Sequence, residues 1–286
     1  MKYTTMFVSG WAARLCLPLV AAGAFAFTAS QSFAAELLAG IAENGRLVLF
    51  ASDAPEDAEV VQISGLQHDE KILGLDVRPL TGELYALGSS ARLYTINWLT
   101  GDATAIGTGP FTNLLSGSSF GFDFNPTVDR IRIVSDSGLS LRVNPTNGLL
   151  AAIDGNLAYA TNDSGAGLSP SVVAAAYINN DTNPATGTTL YDIDSERDVL
   201  VIQNPPNSGT LVTVGALGVD TVSIAGFDVA GSDGTAYAAL VPAGQAGSSQ
   251  RAGLYTINLT TGAATFLGKI GGPKALTSLA TLGTIE

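Results

Sequence analysis

The sequence is short of charge, and it carries one cysteine and one histidine. Asp, Glu, Lys and Arg make up 13% of its 286 residues, about half the usual share. Because 46% of the residues are hydrophobic, intrinsic disorder is excluded, since it requires high charge and few apolar side chains. The sole cysteine, Cys16, excludes a disulfide framework. With His68 the sole histidine, zinc sites built from His or Cys are excluded, as are haem and iron–sulfur ligation. A Ser-His-Asp hydrolase would have to use His68, which lies in the polar stretch 66–71 and reads as a surface or loop residue. There is no Gly-x-x-x-x-Gly-Lys-Ser/Thr phosphate loop, and no Gly-x-Gly-x-x-Gly between a strand and a helix. Basic residues are few, 13 against 25 acids for a formal charge of −12. Without a basic cluster, nucleic acid and anionic membrane are not expected partners.

The first segment reads as a secretory signal. Lys2 and Arg14 are the only charges before Glu36, and an apolar run follows Arg14. That run is too short to span a bilayer comfortably, and Ser32-Phe33-Ala34 places small residues at a cleavage site. Cleavage after Ala34 is expected, giving a signal peptide of residues 1–34 and a single domain over 35–286. It would leave 252 residues, move the net charge to −14 and remove Cys16. The protein is then expected to be exported, periplasmic or extracellular, monomeric and free of the membrane.

What is present is a repeat. Leu93-Tyr94-Thr95-Ile96-Asn97 leads to Thr100-Gly101, and Leu254-Tyr255-Thr256-Ile257-Asn258 leads to Thr261-Gly262. Leu141-Arg142-Val143-Asn144 leads similarly to Asn147-Gly148. Each is an alternating strand closed by a turn, where Asn bonds its own backbone and Gly supplies a positive φ. Upstream of these lie Gly74-Leu75-Asp76, Gly121-Phe122-Asp123 and Gly226-Phe227-Asp228, each followed by an apolar strand. A divergent copy begins at 171–178, with Ala176 where the others have Asp. Four strands in a unit of about 45–50 residues mark a β-propeller blade. Starts near residues 72, 119, 171 and 222 give four blades, and the chain ends supply a fifth. The expectation is an all-β, five-bladed propeller of four-stranded antiparallel blades, closed by N- and C-terminal strands. Closure would remove exposed sheet edges. A sixth blade would have to hide in 155–170, which reads as a loop. Phe122, Phe124, Phe227, Tyr94 and Tyr255 are expected to fill the gaps between blades.

The chemistry must then come from carboxylates. Asp76, Asp123 and Asp228 occupy matching places on the innermost strands, near the axis. They could hold a cation or do acid–base work on a sugar. Their repetition favours a structural role instead, each Asp capping the turn after it, because catalytic acids need dissimilar surroundings. Asn180, Asp181 and Asn183, in an oxygen-rich loop, are a candidate calcium site, though without EF-hand spacing; the loop containing Asp163 is a second. Asn162, Asn180 and Asn258 fit the glycosylation sequon. Trp98 could stack on a carbohydrate or pack between blades.

The run GFDFNPTVDRIRIVSD over 121–136, followed by LRVNPTNG over 141–148, resembles the hallmark of a secreted bacterial family catalogued as domain of unknown function 4394. The resemblance implies an exported, propeller-like domain and carries over no catalytic residues. Within the hallmark, Asp129, Arg130, Arg132 and Asp136 form a concentration of charge unusual for this chain, and read as a ligand site or as an ion-pair network on one blade. Taken together, these features favour a non-enzymatic binding or scaffold module for an extracytoplasmic ligand, glycan or protein, with no required cofactor. The alternative is a carboxylate- or calcium-dependent hydrolase or lyase acting on a glycan or lactone.

Overall fold

A computed structural model describes residues 34–112, 115–183, 185–244, 251–272 and 275–285. The expected signal peptide and Cys16 lie outside the described residues, apart from Ala34. Five sheets, four of them four-stranded and antiparallel and one with a short fifth strand, are arranged as the blades of a propeller. Blade one takes its inner strand from the C-terminus, Leu276–Thr284, and continues through Glu36–Ala42, Leu47–Ala51 and Ala54–Val61. Blade two runs through Ile72–Val77, Leu84–Gly88, Leu93–Ile96 and Ala103–Ile106. Blade three runs through Phe120–Asn125, Arg130–Ser135, Ser140–Val143 and Leu150–Ile153. Blade four runs through Val172–Tyr177, Leu190–Asp194, Val199–Gln203 and Thr210–Ala216, and blade five through Thr221–Val229, Ala236–Pro242, Gly253–Ile257 and Ala264–Lys269. Among the described residues, no helix is long and apolar enough to cross a membrane.

The ring closes as expected: Glu36 to Ala42 pair antiparallel with Thr284 to Leu276. One expectation needs amending. The stretch 155–170 is not wholly loop, because Ala158–Tyr159 adds a short parallel fifth strand to the outside of blade four. The turns follow their residues. Asn97, Asn144 and Asn258 accept backbone N–H groups two residues on, and Gly101, Gly148 and Gly262 take φ of 79°, 69° and 82°.

The core is a set of apolar layers, one between each pair of neighbouring blades. Phe122 and Phe124 meet Tyr85 of blade two, while Phe227 and Tyr255 meet Val173 and Ile193 of blade four. Tyr94 packs against Leu47 and Leu49 of blade one. Both faces of most strands are thus covered, which accounts for the low charge.

Candidate functional site

The glycine of each Gly-x-Asp element sets the distance between inner strands. A Cβ on Gly74 would lie 2.3 Å from the Phe122 Cβ of the next blade, and one on Gly121 would lie 2.6 Å from the Ala175 Cβ. The aspartate two residues on can then reach the neighbouring inner strand. Asp76 accepts from Phe124 N at 2.7 Å and from its own neighbour Val77 N at 2.6 Å. Asp123 accepts from Tyr177 N at 2.9 Å. Asp228 accepts from Thr281 N at 2.6 Å, Thr281 Oγ1 at 2.9 Å and Val229 N at 2.6 Å. The aspartates therefore staple blades two to three, three to four and five to one. Where the motif lacks Asp, other side chains serve. Asn180 Nδ2 donates to Val229 O at 2.9 Å between blades four and five, and Ser278 Oγ accepts from Leu75 N at 2.8 Å between blades one and two.

The same geometry brings three carboxylates together. One oxygen from each of Asp76, Asp123 and Asp228 lies within 4.8 Å of the others, and all three residues are buried. Burial, and then the Asp228 charge, push the Asp76 carboxyl well above its ordinary range. Burial, then Asp76 and Asp228, do the same to Asp123. Burial pushes Asp228 up to about 7, against the pull of its Thr281 and Val229 hydrogen bonds. Such a cluster cannot be fully ionised by itself, and a bound divalent cation would supply the missing positive charge. Calcium binds oxygen at about 2.3–2.6 Å, so its ligand oxygens can stand up to about 5 Å apart, and the 4.8 Å span fits.

Asp76 also lines a cavity of about 360 Å³ where the inner strands of blades one and two end. Its polar walls include Glu36, Thr81, Asn180, Ser232 and Thr281, and no Lys or Arg. Glu36 is buried, which raises its pKa, and accepts from Ser232 Oγ at 2.9 Å. A separate cavity of about 610 Å³, lined by Ser118, Ser119, Ser223 and Thr277 among others, lies where the inner strands begin.

These observations correct the reading that favoured a non-enzymatic module over an enzyme. Scarcity of histidine and cysteine argued against catalysis, but the buried aspartate triad could chelate a metal, and metal-assisted chemistry needs neither residue.

The other candidates separate. Asp129 forms a bidentate pair with Arg78 of blade two, at 2.8 and 2.5 Å. Arg130 donates to the Asp129 carbonyl, and Asp136 accepts from Ser118 N. Arg132 is buried and bonds Ser140, Asp154 and, across to blade four, Asn207. The four thus take different partners, and two of them bridge blades rather than serving one. In the proposed calcium loop, Asp181 accepts from Asn183 N and Asn183 from Ala185 N, so both side chains bond their own loop. Asp163 likewise accepts from Gly165 N and Thr213 N. His68 is 93% exposed beside Asp69. Trp98 is half-buried and packs at the edge of the layer between blades one and two. Sequence reasoning missed Glu36 and a buried group between blades three and four. There, both Asp192 carboxylate oxygens, Arg132 Nε and Gln203 Oε1 have no hydrogen-bond partner. A charge at 192, where the matching strands carry Ala86 and Ala238, was the available signal.

Comparison with solved structures supports the fold. A protein of unknown function from Bacteroides thetaiotaomicron overlays with a TM-score of 0.50 at 17% identity, over 88% of this chain and 66% of that one. The chain therefore spans just under two thirds of that protein's length. A provisionally assigned 6-phosphogluconolactonase from Bacteroides uniformis gives 0.42 at 14% identity, over 84% and 83% of the two chains. PorZ, a surface component of the type-IX secretion system of Porphyromonas gingivalis, gives 0.35 at 14%, over 81% and 26%. These weaker likenesses carry no functional argument. No curated protein matches the sequence. Residues 46–280 match the family described as domain of unknown function DUF4394, and the chain belongs to that family.

Proposed function

We propose that the protein is an exported, cation-dependent hydrolase or lyase acting on a neutral glycan or lactone. Its leader would be residues 1–34 and its catalytic propeller residues 35–286. The observation that carries this reading is the convergence of Asp76, Asp123 and Asp228 oxygens within 4.8 Å, with Asp76 lining an open cavity. A cation held there would polarise a carbonyl or glycosidic oxygen and acidify a bound water. Backbone N–H groups of Val77, Phe124, Tyr177, Val229 and Thr281 hold the three carboxylates in place. Glu36, buried on the cavity wall with a raised pKa, is placed to give or take a proton. The absence of Lys and Arg from the cavity lining favours a neutral, hydroxyl-rich substrate over a phosphate ester.

The test is thermal melting with Ca²⁺, Mg²⁺ or Mn²⁺ and with chelator, run alongside a panel of neutral glycans and lactones. A cation should raise the melting temperature, and chelation should abolish turnover. No shift with any ion, together with no turnover, refutes the proposal.

A further inference from the structure

A third cavity, of about 470 Å³, lies between blades one and two. This size falls within the range of small-molecule sites, about 300–1,000 Å³. Its walls are apolar: Phe50 and Val61 from blade one, Leu282 from the closing strand, and Trp98 from the turn of blade two. Leu99, 67% exposed, forms a lip. Two acids interrupt this surface. Glu59 and Val61 alternate along the outermost strand of blade one and share one face; Asp57 lies beyond a register irregularity in that strand and lines the same cavity. Both acids are exposed, and among the described residues the cavity lining contains no Lys or Arg.

We propose that this groove binds an amphiphilic cation, an organic amine with an apolar body. The body would occupy the space between Phe50, Val61, Trp98 and Leu282. The ammonium group would sit at the rim against Asp57 and Glu59, in the cavity that Trp98 also lines, and an indole ring attracts cations. A neutral apolar ligand would leave the two acids unpaired, and an anionic one would be repelled. The chain's net charge of −12 adds a long-range field of the same preference. This site shares no acid with the aspartate triad and does not depend on the proposed catalytic activity.

The experiment compares 4-phenylbutylamine, 4-phenylbutanol and 4-phenylbutyrate by isothermal titration against the full chain. Two exposed ion contacts and a cation–π contact should favour the amine over the alcohol by about tenfold or more. The butyrate should bind more weakly than both. The double variant Asp57→Asn, Glu59→Gln should melt as the parent does, because both side chains are exposed, and should lose most of the amine's advantage over the alcohol. Trp98→Phe should weaken the amine and remove its effect on tryptophan fluorescence. Equal affinity for amine and alcohol in the parent, or no binding of any probe, overturns the proposal.

Discussion

Replacing Asp192 by asparagine should flatten the loss of stability that the protein suffers as pH rises. Asp192 has no exposed surface, and neither of its carboxylate oxygens has a hydrogen-bond partner. Burial pushes its pKa from 3.8 up to about 8, even with Arg132 pulling it down. In the unfolded chain the carboxyl returns to about 3.9. Between about pH 4 and about pH 8 the native state therefore holds a proton that the unfolded state has released. Its stabilising contribution is whole below pH 4, falls by about 1.4 kcal/mol per pH unit, and is gone above pH 8. Asparagine matches the neutral acid in size and does not titrate. From pH 5 to pH 8 the stability difference should move in favour of the variant by about 4 kcal/mol. The triad carboxyls also have raised pKa values, but they are present in both proteins, and of their causes the Asp192 charge is only the least, acting on Asp123. The assay is urea unfolding of parent and Asp192→Asn at intervals across that range, followed by circular dichroism. Parallel pH profiles would show that Asp192 is charged in the native protein, and would refute the reasoning.

Cation binding at the triad should release protons, because Asp76, Asp123 and Asp228 all have raised pKa values and a metal requires them ionised. Affinity should therefore rise from pH 6 to pH 8, and titration heats should vary with the ionisation enthalpy of the buffer. Ser278→Ala should cost about 1–3 kcal/mol in urea unfolding, because it leaves the buried Leu75 N–H without its acceptor. Ending the chain before Lys274 removes the inner strand of blade one, with Leu276, Leu279 and Ala280. The cooperative melting transition should disappear; an unchanged melting temperature would contradict the ring closure.

The blade count and the closing strand pairing were legible because their signals are local. Leu-Tyr-x-Ile-Asn runs, turn glycines and period-two alternation need only a few residues each, and the structure reproduces them in register. The residues 155–170 hid a strand because two residues, Ala158 and Tyr159, are too few to show alternation. The place of Asp76, Asp123 and Asp228 near the axis was also legible, from their matching positions in the repeat. What those side chains bond was not. A turn cap is a contact within one blade, whereas each aspartate here reaches a neighbouring blade 48 to 54 residues away in sequence. The partners of the charges in the hallmark segment were hidden for the same reason. Asp129 and Arg132 are neighbours in sequence, but one turns to Arg78 of blade two and the other to Asn207 of blade four.

The staples and the candidate ligands are the same carboxylates, and the pattern of their bonds separates the two roles. Asp76 uses Oδ1 for Val77 and Oδ2 for Phe124, so an asparagine there must turn its amide NH₂ toward one backbone N–H. Asp228 is engaged in the same way by Val229 and Thr281. Substitution at either position opposes donor to donor in a buried site, with a cost of about 1–3 kcal/mol, so any loss of cation response would be mixed with loss of fold. Asp123 differs, because its bond to Tyr177 N engages Oδ1 alone. Asparagine can keep that staple through its amide oxygen and still remove one negative ligand. Asp123→Asn should therefore melt close to the parent without added cation and show a much smaller shift with it, whereas Asp76→Asn and Asp228→Asn should lose stability outright. If Asp123→Asn keeps the full cation shift, the ion binds elsewhere and the triad is a staple alone.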